Sequence, residues 1–189
     1  TTGTMLLGSE IGAALNALEP LHIDLIGLNC ATGPAEMSEH LRYLSKNAQC
    51  AISVMPNAGL PQLGPKGATY PLGPDALAQA LATFVDDYKI TLIGGCCGTT
   101  PEHLAAVVAR LDRKKVTART SHADPGASSL YQYVPFRQDN AFLAIGERTN
   151  ANGSRAFRDA LISENWETCV EIARDQIRDG AHMLDLSID

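Results

Sequence analysis

The sequence predicts an α/β protein built around a parallel sheet, and three observations carry that reading. Short apolar runs recur, and each is followed by a segment of helical periodicity. These strand–helix units repeat at about 30 to 40 residues, the spacing of parallel strands with helices outside them. The chain also opens on an amphipathic segment (Leu7, Ile11, Leu15, Leu18) with no strand before it. That start reads as the C-terminal half of a barrel of alternating strands and helices.

The elements follow in order. His22–Leu28 is continuous and apolar enough for a strand buried on both faces. Gly33-Pro34 opens a helix whose stripe is Met37, Leu41 and Leu44. Ala51–Met55 is the second strand, and a long Gly/Pro loop from Pro56 leads to a helix striped by Leu77, Leu81, Phe84, Val85 and Tyr88. Ile90–Ile93 is the third strand, closed by Gly94-Gly95-Cys96-Cys97-Gly98. Thr100-Pro101 then supplies an N-cap and a first-turn proline for a helix with Leu104, Val107, Val108 and Leu111 on one side.

Beyond residue 112 the periodicity fails. Arg113-Lys114-Lys115 is a charge run and Ser121–Ser129 is rich in small residues, so residues 113–140 read as an interdomain linker. A second unit occupies residues 141–189. Its strand is Phe142–Ile145, its loop Gly146–Gly153, and its helices span Ser154 to Asp179 with Phe157, Leu161, Trp166, Val170, Ala173 and Ile177 inward. Gly180 is a natural residue just past a helix end, and Met183–Ile188 is the closing strand.

Composition narrows the function. Hydrophobic residues make up 45% and charged residues 19%, which describes a globular chain able to bury a core. A net charge of −6 gives no sign of a phosphate-tracking surface, so no nucleic-acid partner is expected. No apolar run reaches the roughly 20 residues that span a bilayer, and no membrane association or signal peptide is expected. The first residue is Thr1, not Met, which hints at a start inside a longer protein. The five cysteines, an odd number, read as reduced thiols in a cytoplasm.

Cys30 falls two residues past the first apolar run, and Cys96-Cys97 follow the third. In parallel α/β folds the C-terminal strand ends share one face, so three thiols remote in sequence can converge there. Three thiolates suit zinc, and three protein ligands leave a fourth tetrahedral position for substrate. Adjacent cysteines on an extended strand point to opposite faces, and Gly94, Gly95 and Gly98 would let the backbone fold sharply enough to aim both at one ion. A redox-active vicinal dithiol is the main competitor on residues alone. Cys50 and Cys169 read as small buried hydrophobes, and His103 as an exposed helix residue.

The residues then become familiar. Gly27-Leu28-Asn29-Cys30 with Gly33-Pro34, then Pro56-Asn57-Ala58-Gly59-Leu60-Pro61, then Gly94-Gly95-Cys96-Cys97-Gly98-Thr99-Thr100-Pro101-Glu102-His103 closely resemble the homocysteine-binding domain of the homocysteine methyltransferase family. The resemblance covers about residues 20–111. It implies a catalytic zinc on Cys30, Cys96 and Cys97, with no further catalytic group, and substrate contacts at Asn29 and Gly95. Ile145-Gly146-Glu147-Arg148-Thr149-Asn150, Gly153-Ser154, Gly180-Ala181 and Leu184-Asp185-Leu186 resemble the opening of the pterin-binding (folate) barrel of the cobalamin-dependent methionine synthase family. Ser187 stands where that family often has Asn.

Together these imply the C-terminal half of a (β/α)8 TIM barrel (residues 1–112), the linker, and the first β-α-β of a second TIM barrel. The implied activity is methyl transfer from 5-methyltetrahydrofolate, through methylcobalamin, to homocysteine. Asn150 and Asp185 are the implied pterin contacts, with turn capping and hydrogen bonding at the barrel floor as the plainer reading. No Asp-x-His-x-x-Gly cobalamin motif occurs, so methylcobalamin would sit on another domain of the same full-length protein. Two alternatives stay open: a non-catalytic zinc- or homocysteine-binding piece, and a cobalamin-independent homocysteine S-methyltransferase.

Overall fold

The computed structural model describes residues 5, 8–65, 67–111 and 117–189. Leu7 of the first amphipathic segment and the Arg113-Lys114-Lys115 charge run lie outside the described residues. The chain divides into two compact units, Thr1–Ala123 with Ser128–Gln132, and Asp124–Ala127 with Tyr133–Asp189. Both are mixed α/β with parallel strand pairing. Among the described residues no helix is long and apolar enough to cross a membrane.

In the first unit α1 (Ile11–Leu18) runs into a 3-10 turn (Glu19–Leu21), then β1 (Leu25–Asn29), α2 (Pro34–Asn47) and β2 (Ala51–Met55). An antiparallel hairpin, β3 (Gln62–Gly64) and β4 (Gly67–Thr69), precedes α3 (Pro74–Tyr88), β5 (Leu92–Ile93) and α4 (Pro101–Leu111). The sheet order is β1-β2-β5, all parallel, with Ile26 opposite Ile52 and Val54 opposite Ile93. Proline at the first turn of α2 and α3, where a missing N–H costs no hydrogen bond, fixes where both helices begin.

The core lies between sheet and helices. Leu41 and Leu44 of α2, Ile52 and Val54 of β2, and Leu77 and Leu81 of α3 are fully buried, each side chain contributing about 1.5–3 kcal/mol of burial. The predicted stripes of α2 and α3 are therefore the packed faces. Three details differ from the sequence reading. The first strand starts at Leu25, because the 3-10 turn ends on His22 in a left-handed conformation with φ 57°. That strand is not buried on both faces: Ile26 is 8% exposed, but Leu25 is 39% exposed on the opposite side of the pleat. On α4 the inward residues are His103 and Val107, whereas Leu104 and Val108 are exposed.

Past α4 the chain lies against the first unit. Arg119 donates through Nη1 to the Leu44 carbonyl at 3.0 Å and through Nη2 to the Cys50 carbonyl at 2.6 Å, and the His122 N–H bonds the Lys46 carbonyl. Nη1 also reaches the Ser45 carbonyl at 3.3 Å, so the guanidinium sits over the last turn of α2, where a cation meets the negative end of the helix dipole. Residues β6 (Gly126–Ser128) and β7 (Tyr133–Pro135) form a short ribbon.

The second unit holds β8 (Ile145–Asn150), α5 (Arg155–Ile162), α6 (Trp166–Arg178) and β9 (Met183–Ser187), with β8 and β9 parallel. The strand thus begins where the apolar run Phe142–Ile145 ends, and Phe142 itself is 84% exposed. Pairing with β9 at Ile145, Gly146, Thr149 and Asn150, invisible in so polar a string, holds it extended across a register shift at Glu147-Arg148, where the Arg148 N–H bonds Gln176 Oε1 at 2.6 Å. Ser154 caps α5 by accepting from the Phe157 N–H, and Asn165 caps α6 by accepting from the Thr168 N–H. On α6 Trp166, Val170 and Ile177 are exposed, in contrast to the predicted stripe, and Cys169, Ile172 and Ala173 are the more covered side. Gly180 closes the helix with φ 99°.

Candidate metal centre

The site grows out of strand register. Asn29 of β1 pairs with Met55 of β2, and Val54 pairs with Ile93 of β5, so the three strands end side by side. The segment after β2 then ties the other two ends together. The Cys30 N–H donates to the Met55 carbonyl at 2.9 Å and the Cys96 N–H to the Pro56 carbonyl at 2.8 Å. The Ala58 N–H donates to the Cys97 carbonyl at 2.9 Å, and the Cys97 N–H to Asn57 Oδ1 at 3.1 Å. Asn57 is 3% exposed. The stretch Pro56-Asn57-Ala58 is the hub on which both cysteine segments hang.

Local backbone completes the geometry. Cys30 and Ala31 both lie in the left-handed region, with φ 64° and 65°, a conformation costing of order 1–3 kcal/mol for each non-glycine residue. It turns the chain abruptly at the end of β1. Gly98 has φ 78°, and Gly95 sits so close to Thr99 that a Cβ there would lie 2.2 Å from its Oγ1. Of the three glycines expected to bend this loop, Gly98 supplies the unusual φ and Gly95 the close approach. Gly94 would meet Met55 only at ordinary contact distance. The Thr99 Oγ1 is buried with no hydrogen-bond partner.

The three sulfurs meet. Cys30 Sγ lies 3.7 Å from Cys97 Sγ, and Cys97 Sγ 3.9 Å from Cys96 Sγ, with all three within 4.8 Å of one another. A tetrahedral ion with Zn–S bonds of about 2.3 Å requires sulfur–sulfur edges of about 3.8 Å. The donor set and its spacing therefore fit such an ion, with one tetrahedral direction left for a further ligand.

Electrostatics agree with a shared anionic site. A hydrogen bond from the Ala31 backbone N–H, then bonds from Cys96 and Cys97, hold the Cys30 thiol below its ordinary range. Hydrogen bonding to Cys30 and then burial push Cys96 up to about 11. The Cys30 thiol thus gives up its proton more easily than an isolated cysteine, and Cys96 less easily. Just past β4, the half-buried Tyr70 has its phenol raised above the usual range, first by the neighbouring Cys97 sulfur and then by burial.

Several expected residues lie near this centre. Asn29 is exposed at the tip of β1, next to Cys30, and Gly95 immediately precedes Cys96. His103 corrects its expectation of exposure. It is 7% exposed, with Nε2 donating to the Leu72 carbonyl at 2.9 Å and Nδ1 accepting from the Thr100 N–H at 3.2 Å. Asn57, Tyr70 and His103 carried no assigned role in the sequence reading. The motif around Asn57 was a usable signal, whereas nothing around Tyr70 marks it.

In the second unit Asn150 Nδ2 donates to Asp185 Oδ2 at 3.1 Å, so those two expected residues do meet. Asn150 Oδ1 also accepts from the backbone N–H groups of Asn152 and Gly153, capping the turn after β8.

Comparison with known proteins matches residues 1–111 to the family described as homocysteine S-methyltransferase and residues 146–189 to pterin binding enzymes. The methionine synthase of Mycobacterium tuberculosis (strain ATCC 25618 / H37Rv) is 62% identical over 189 residues, covering 100% of this chain and 16% of that protein. The methionine synthase of Mycobacterium leprae (strain TN) is 62% identical over 194 residues, with the same shares. The chain thus spans 16% of the length of these relatives.

Proposed function

Because the chain belongs to the homocysteine S-methyltransferase family, we propose that it forms the thiol-activating part of a cobalamin-dependent methionine synthase. Residues 1–112 are the C-terminal half of a homocysteine-binding (β/α)8 barrel, 113–140 the connection, and 141–189 the first β-α-β of a pterin-binding barrel. The single observation that carries this reading is the meeting of three sulfurs from two remote segments at tetrahedral spacing.

Cys30, Cys96 and Cys97 would hold a zinc ion. When bound, zinc supplies the Lewis acidity that deprotonates a homocysteine thiol, which on its own titrates near pH 8.5 and is only a few per cent thiolate at pH 7. The protein's task is to hold the ligands. Strand register fixes their separation, the Pro56–Ala58 hub fixes their orientation, and the turn at Cys30 presents its sulfur from the β1 end. Three thiolate ligands, unlike neutral imidazoles, keep the site electron-rich, which preserves the nucleophilicity of the incoming sulfur. No side chain is required as a general base.

The methyl group would come from 5-methyltetrahydrofolate by way of methylcobalamin carried on another domain of the same protein. The pterin-binding match over residues 146–189 supports this branch over cobalamin-independent methyltransferases. Asn29 and Gly95 would border homocysteine, and Asn150 with Asp185 would border the pterin. We place the protein in the cytoplasm on its five unpaired cysteines. A dithiol redox role is less well supported, since it has no use for a third sulfur 3.7 Å from the pair.

The test is Cys96→Ser in the intact protein, with zinc content and homocysteine turnover followed separately. Both are expected to fall severely. Retention of both removes Cys96 from the site.

A further inference from the structure

Strand β8 changes register partway along, and the change decides which side chains share a face. Ile145 and Gly146 pair with Met183 and Leu184, but Thr149 and Asn150 pair with Leu186 and Ser187. Between these pairs β8 has two residues, Glu147 and Arg148, where β9 has only Asp185, which makes a β-bulge. Partners on parallel strands point to one face, and alternate residues of a strand share it. Ser187 and Asp185 therefore lie on one face of β9, and Asn150 joins them there. Its Nδ2 donates to Asp185 Oδ2 at 3.1 Å. With no extra residue Asn150 would stand opposite Ile188, on the face of Leu184 and Leu186, turned away from Asp185.

One side chain holds this bulge. Gln176 of α6 accepts the Arg148 N–H on Oε1 at 2.6 Å, a donor that the shifted pairing leaves outside the ladder. Its Nε2 donates to the Ile172 carbonyl at 3.3 Å, which anchors the carboxamide to its own helix. Gly146 is an independent constraint. A Cβ there would lie 2.7 Å from that Oε1 and 3.0 Å from Leu184 Cδ2, so the glycine leaves the space the carboxamide occupies. Thr149, 3% exposed, closes the far side of the bulge by donating through Oγ1 to the Asp185 carbonyl at 2.5 Å. We infer that Gln176 is a positioning residue for the pterin site: by taking the Arg148 N–H it fixes the bulge that brings Asn150 onto the face of Asp185. The inference rests on the reading that Asn150 and Asp185 border the pterin. Gln176 lies with Gly146 and Leu184 on the other face, so it acts only through the strand.

Gln176→Met keeps the length of the side chain and removes the acceptor, whereas Gln176→Glu keeps an acceptor oxygen. In the intact protein the Kd for 5-methyltetrahydrofolate is expected to rise about tenfold or more in Gln176→Met, and to stay close to the parent's in Gln176→Glu. Zinc content and the KM for homocysteine should move in neither. Gly146→Ala sets a methyl against the carboxamide without removing it and should weaken folate binding in the same way. That variant keeps the test open should Gln176→Met fold poorly. A Kd within about twofold of the parent's in Gln176→Met or Gly146→Ala overturns the role of Gln176. So does a Gln176→Glu protein as weak as Gln176→Met, or a homocysteine KM that rises in step with the folate Kd. Asp185→Ala that binds 5-methyltetrahydrofolate as tightly as the parent overturns the pterin reading itself, and the inference with it.

Discussion

His103 Nε2 donates to the Leu72 carbonyl at 2.9 Å while its Nδ1 accepts from the Thr100 N–H at 3.2 Å. The two bonds fix the neutral tautomer with its proton on Nε2. They also make His103 a double device: the N3 residue reaching back to the N-cap of α4, and the clasp on the segment that follows the hairpin.

His103→Ala strips both bonds at once. It should cost about 1–3 kcal/mol, chiefly from polar groups left without partners. Urea unfolding of the variant checks this, and an unchanged midpoint would return His103 to the role of surface residue.

The packed face of α4 gives a sharper contrast. Val107 is 5% exposed and Val108 is 67% exposed, although both fit the apolar periodicity of the sequence. Val107→Ala should cost about 2 kcal/mol through lost burial and a residual cavity. Val108→Ala should stay within about 0.5 kcal/mol. Equal losses in thermal or chemical unfolding would mean the helix is rotated from the orientation described.

Cys50 predicts an alkaline weakness. Burial, and after it the negative charge of Glu19, raise its thiol above the ordinary range. The folded state therefore binds that proton more tightly than the unfolded chain. Stability is fully present below the unfolded thiol's range, near pH 9, and falls as pH rises through and beyond it. Cys50→Ser should flatten this decline. Melting temperatures of metal-free protein from pH 7 to 10 would show it, and parallel curves for the two proteins would clear Cys50 of responsibility.

Much of the fold was legible because local patterns and packing agree. Pro34 and Pro74 mark helix starts, and the stripes Met37-Leu41-Leu44 and Leu77-Leu81-Phe84 are the buried sides. Where apolar residues ring a helix, periodicity could not choose. Val107 and Val108 are adjacent and alike, and α6 offers Trp166 and Val170 against Cys169 and Ile172. The polar β8 was missed for another reason, since its hydrogen bonds go to residues some 35 positions away, Thr149 to the Asp185 carbonyl among them.

The sequence by itself determined the thiol inventory, the strand–helix alternation, and the placement of Cys30 and Cys96-Cys97 just past apolar runs. Those properties depend on residue type and short spacing, which one dimension preserves. Only the tertiary structure decided that sulfurs 67 residues apart lie 3.7 Å from each other, that Asn57 Oδ1 takes the Cys97 N–H, and that His103 is buried. Such contacts are set by the register of β1, β2 and β5 and by backbone hydrogen bonds between loops. A slip of one residue would send each side chain to the other face of the sheet, and no local pattern encodes which partner waits there.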